Sequence, residues 1–149
     1  MKTLFFLFAM CFINNVFSQD LIFDINQYGV SYKNSSTNQF DEAEIKSSQM
    51  VITLQDKVVK VIDDFTHTIS LEKMNGQNNN IKHLYTQNWK AFDANKSPVQ
   101  FKFTVNVETK DAMVEVGYKD FRNYYFGKFS YGNLENLSKE VAQTFESNQ

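Results

Sequence analysis

Gln100-Phe101-Lys102-Phe103-Thr104-Val105-Asn106-Val107-Glu108 places Phe101, Phe103, Val105 and Val107 on one face of an extended chain and polar side chains on the other. Alternation with a period of two is the signature of a strand buried on one side. Lys110-Asp111 turns the chain, Ala112 to Tyr118 returns, Lys119-Asp120 turns it again, and Phe121 to Tyr131 follows. Short strands joined by polar turns of this kind pair as antiparallel neighbours. No stretch between them has the helical spacing that a parallel crossover would need.

The same grammar extends upstream. Met50, Ile52 and Leu54 alternate with Val51 and Thr53, Gln55-Asp56-Lys57 turns, and Val58 to Ile62 returns before Asp63-Asp64. Phe65, His67, Ile69 and Leu71 then alternate with Thr66, Thr68, Ser70 and Glu72. Asn75-Gly76, followed by Gln77-Asn78-Asn79-Asn80, predicts a hairpin turn, with Ile81 to Gln87 as the returning strand. Asn88 to Pro98 reads as a connection carrying Trp89 and Phe92. Leu21 to Ile25 and Tyr28 to Lys33 read as two short strands, Asn34 to Gln39 as a polar loop and Asp41 to Glu44 as an acidic surface step.

The C-terminal stretch changes period. Leu134, Leu137, Val141 and Phe145 recur at helical spacing, Asn133 is a suitable N-cap, and Glu135 falls where the helix dipole favours an acid. This predicts an amphipathic helix over residues 132–147, packed across one end or face of the sheet. The expected fold is therefore mainly β, an antiparallel meander curled into a small barrel or sandwich, with a C-terminal amphipathic helix.

At the other terminus, Lys2 precedes an unbroken apolar run from Leu4 to Ile13, and Val16-Phe17-Ser18 offers a cleavage site before Gln19. This order predicts a secretory signal peptide over residues 1–18. The run is too short for a membrane span, which needs ~20 apolar residues. Cys11, the only cysteine, has Met10 before it, which argues against a lipoprotein, and cleavage would remove it. Residues 19–149 then form one β-rich domain, secreted or periplasmic, without disulfide or thiol. Roughly 130 residues suffice to bury about two thirds of the surface without staples.

Charge narrows the partners. The formal net charge is −2, Arg122 is the sole arginine, and no basic stripe runs along the chain, so nucleic acid is not an expected partner. No second apolar run is long enough for a transmembrane segment in the mature chain. An outer-membrane barrel fits poorly with so many charges on the alternate strand face.

Catalytic and metal motifs are lacking. His67 and His83 fall on the two arms of the predicted hairpin, about four residues out of register. That is roughly 13 Å at ~3.3 Å per residue, too far for one metal ion. Asp93-Ala94-Asn95-Lys96-Ser97 imitates the start of a calcium loop, but Pro98 stands where glycine is required and Thr104 where a bidentate glutamate is. No Gly-x-Ser-x-Gly elbow and no phosphate-cradling glycine loop occurs. The sequence thus predicts no catalytic residue, metal ligand or cofactor.

The densest feature is Phe121-Arg122-Asn123-Tyr124-Tyr125-Phe126-Gly127-Lys128-Phe129-Ser130-Tyr131, with aromatic rings on both strand faces. One reading makes Tyr124 and Tyr125, with Arg122 and Trp89, a ligand-binding surface for a sugar or peptide. The other gives one face to the sheet core and the other to the C-terminal helix. The paired-strand turns from Met50 onward and the Tyr118-Lys119-Asp120-Phe121…Tyr124-Tyr125-Phe126 segment resemble small exported β-proteins of unknown function from Gram-negative bacteria. The resemblance implies a location and a fold type and carries no site residues. A lipocalin-like barrel agrees in size, but the glycine-x-tryptophan signature near the start is missing. The expected role is a non-enzymatic binding or interaction module for a small molecule, glycan or protein. The alternatives are a secreted hydrolase with dispersed carboxylates and a structural or assembly component of the envelope.

Overall fold

The computed structural model describes residues 21–78, 81 and 83–131. Eight strands run in chain order: β1 (Leu21–Tyr32), β2 (Glu44–Gln55), β3 (Val58–Ile62), β4 (Thr66–Asn78), β5 (Leu84–Asp93), β6 (Pro98–Asn106), β7 (Asp111–Gly117) and β8 (Phe121–Tyr131). Each pairs antiparallel with its neighbour in sequence, and β8 closes on β1 through Tyr28↔Tyr125 and Phe23↔Phe129. The meander is thus a closed barrel, which resolves the choice between barrel and sandwich. The predicted signal peptide and C-terminal helix lie outside the described residues.

Several expectations are corrected. Asn75 and Gly76 do not turn the chain but lie within β4, where the pairing with β5 shifts register between Met74 and Gly76. A bulge tolerates the same residues as a tight turn, so the dipeptide signals either. The hairpin consequently pairs Leu71 with Ala91, and the supposed connection from Asn88 is strand as far as Asp93. His83 is a turn residue with φ 68°, at the opposite end of the barrel from His67. Leu21 to Tyr32 is one strand interrupted by a bulge at Asn26, which reverses the side-chain phase and makes it read as two.

The barrel interior is apolar. Phe23, Phe101, Phe103 and Phe129 interlock with ring centroids 5.6–6.2 Å apart, and Tyr85 joins Phe103 at 6.1 Å. Ile52, Val59, Val105 and Val114 fill the remaining space and are fully buried. Asp24, Lys60, Lys90, Lys102 and Lys128 alternate outward. This polarity is the reverse of a lipid-embedded barrel, whose apolar band faces out. Among the described residues no helix is long and apolar enough to cross a membrane.

The up-and-down order gathers the β1–β2, β3–β4, β5–β6 and β7–β8 connections at one end. The first folds back outside the wall: Asn34 N–H bonds to the Gln39 carbonyl, Asp41 N–H to Tyr32, and the buried Ser31 hydroxyl donates to the Asp41 carbonyl. The other three frame an opening.

Candidate functional site

At that end the aromatic filling stops and a cavity of about 450 Å³ opens to solvent. Its floor and lower walls are the core side chains Met50, Val61, Ile69 and Val116. An eight-stranded barrel is just wide enough to be filled by side chains or to hold one small ligand. This one does the first over most of its length and leaves room for the second at its mouth.

Three tyrosines line the opening. Tyr28 and Tyr125 pair across the β1–β8 seam, and their rings lie 5.3 Å apart at 36°. The Tyr28 hydroxyl donates to Asn123 Oδ1 at 3.3 Å. Tyr118 follows β7 and stacks on Phe121 with centroids 4.4 Å apart. Burial raises the Tyr125 phenol well above the ordinary tyrosine value, with Tyr28, Tyr118 and Asp63 adding to the shift and a hydrogen bond to Asn123 opposing it. Burial also raises Tyr28, helped by Tyr32 and Asp63, and Tyr118, helped by Asp93. All three phenols are therefore neutral hydrogen-bonding groups at neutral pH and not phenolate bases.

The rim is polar. Asp63 comes from the β3–β4 turn, Thr66 and His67 from the start of β4, Asp93 from the end of β5 and Asn95 from the β5–β6 turn. Asp93 builds its turn: Oδ1 accepts the Asn95 and Ser97 N–H groups at 2.9 and 2.8 Å, and Lys96 takes φ 62°. The stretch that imitates a calcium loop is thus an Asx turn. Asp63 Oδ1 likewise accepts the Phe65 N–H at 2.7 Å. No group of three or more potential metal-ligating side chains occurs among the described residues.

The four residues expected to share a site do not converge. Tyr125 alone lines the mouth. Trp89 is on the inner face of β5, opposite Phe101, and its Nε1 donates to Gln87 Oε1 at 3.1 Å, so it packs against the core. Arg122 is on the outer face of β8, 4.1 Å above the Phe40 ring and 3.5 Å from Glu115 Oε1, where it holds the β1–β2 loop to the wall. Tyr124 also points outward and stacks on Phe126 at 6.4 Å. Neighbours on a strand face opposite sides, so Tyr124 and Tyr125 lie on different surfaces of the barrel wall.

Tyr28, Tyr118, Asn123 and the two aspartates were missed. Tyr28 is displaced in phase by the bulge at Asn26, and the aspartates resemble ordinary turn residues. The inner-face register of Asn123 with Val116 carries a signal only once β8 has been paired. Comparison of the chain with family models, curated proteins and solved structures gives no match.

Proposed function

We propose that this chain is an exported, non-enzymatic binding module that takes up one small organic molecule in the mouth of its barrel. The observation that carries the reading is the contrast inside the barrel: interlocked phenylalanines through the body, then a cavity of about 450 Å³ edged by tyrosine and asparagine. A volume of this size falls within the ~300–1,000 Å³ of small-molecule sites, and an apolar floor with a few convergent polar groups is their usual lining. Export rests on Lys2, the Leu4 to Ile13 apolar run and the Val16-Phe17-Ser18 exit.

The test is native mass spectrometry of the protein purified from the exported fraction of its own host. The expected result is a chain beginning at Gln19 with an additional, gently dissociable small mass. A chain beginning at Met1 would overturn the export reading. A bare chain, together with unchanged amide resonances around Tyr28 and Asn123 across a fragment library, would overturn the binding reading.

One observation favours assembly as a second reading. β3 pairs only with Val51–Gln55 of β2, so Glu44–Met50 pair with β1 alone among the described strands. Ile45 on that segment is exposed, as are Ile62 and Phe65, which line a surface depression with Ser48, Gln49 and Met50. An open strand edge invites another strand. Concentration-dependent self-association in sedimentation would support this reading, and a monomer at all concentrations would remove self-assembly.

A further inference from the structure

The mouth is electrostatically one-sided. Its lining contains Asp63, Asp93 and His67 but no lysine or arginine. Lys46 shares the inner-face register with Tyr28, yet it lies 3.6 Å from Glu44 and does not line the cavity. Both aspartates are held in place by backbone N–H groups on Oδ1, and their Oδ2 atoms have no hydrogen bond or ion pair with a described residue. The negative field reaches the rings below, because Asp63 contributes to the raised Tyr28 and Tyr125 values and Asp93 to that of Tyr118.

Resting on the binding reading above, we propose that the occupant is an organic cation, a small amine or quaternary ammonium carried on an apolar body. The body would lie on Met50, Ile69 and Val116, and the charged head among the tyrosine rings and the Asp63 and Asp93 carboxylates. An aromatic face attracts a cation through its quadrupole, and a desolvated site strengthens that attraction. An anion would meet two carboxylates in a lining that contains no lysine or arginine. A bare metal ion would find too few ligands, since no cluster of three ligating side chains occurs among the described residues.

The experiment uses three probes with one body and different heads: 4-phenylbutylamine, 4-phenylbutanol and 4-phenylbutyrate. Calorimetry gives affinity, and amide shifts of Tyr28, Tyr118 and Asn123 give the location. The amine is expected to bind at least tenfold more tightly than the alcohol, with the carboxylate weakest. Asp63→Asn and Asp93→Asn keep the side-chain oxygen that builds each turn and remove its charge. Each should weaken the amine about three- to tenfold and leave the alcohol unchanged. If the alcohol binds in the mouth as tightly as the amine, or both variants retain full amine affinity, the cation proposal falls while the binding reading stands. If none of the probes moves the mouth resonances of the folded protein, the cation proposal falls, and the native mass and the fragment library decide the binding reading separately.

Discussion

A Cβ built on Gly127 would lie 1.9 Å from the Asp24 carbonyl oxygen and 2.8 Å from Ile25 Cα. This is where β8 meets β1 beside the bulge, so the single seam that closes the barrel tolerates no side chain there. The atoms in the way are backbone and cannot rotate aside. Gly127→Ala should therefore cost at least about 3 kcal/mol, the upper end of ordinary overpacking. It would be read as a lower urea midpoint with an unchanged slope. Gly76 supplies the control. A Cβ there meets nothing within 4 Å, and its φ lies outside the left-handed range. Gly76→Ala should leave stability unchanged or raise it by about 0.4–1 kcal/mol, because alanine restricts the unfolded chain. Comparable losses at both positions would mean that seam packing is not the cause.

At the level of elements, the turns state their requirements plainly. Asp56 and Lys57 both take positive φ, 49° and 62°, between Gln55 and Val58, the conformation of a two-residue type I′ hairpin. The second position of that turn favours glycine, so Lys57→Gly should stabilise the protein by about 0.5–1 kcal/mol in thermal unfolding. A loss instead would show that the lysine side chain contributes more than its backbone costs. This turn was legible in the sequence, as were the Val58–Ile62 strand and the alternation from Phe101. In each, apolar residues fill one face without interruption. Ile81 to Gln87 announced the first half of β5, but the second half, Asn88–Asp93, was not legible, because its inward set of Tyr85, Gln87, Trp89 and Ala91 includes a glutamine while Phe92 points outward. The glutamine is accommodated inside by hydrogen bonds to Trp89 and to the Tyr85 hydroxyl, and no local pattern announces such a network. The site suffered in the same way. β8 has rings on both faces, so only its pairing with Val114 and Tyr28 shows that Tyr125, and not Tyr124, faces inward.

For the molecule as a whole, closure joins the filled body of the barrel to its tyrosine-lined mouth in one cooperative sheet, so ionisation at the mouth should be felt in global stability. Tyr125 is buried, with 7 % of its surface exposed, and its phenol is raised mainly by that burial. The folded protein therefore holds the Tyr125 proton more tightly than the unfolded chain does. Below the ordinary tyrosine value of ~10 both states are protonated and the group makes no pH-dependent contribution. Above it the unfolded chain releases a proton that the fold retains, and unfolding free energy falls as pH rises. The slope from this one group has a ceiling of about 1.4 kcal/mol per pH unit. Urea unfolding between pH 8 and 11 should thus show stability declining from about pH 10, more steeply in the wild type than in Tyr125→Phe. Ionisations common to the two proteins cancel in the difference. Parallel decline in the two would show that Tyr125 ionises as freely in the fold as outside it, which would require a mouth far wetter than its packing against Tyr28 and Val114 allows.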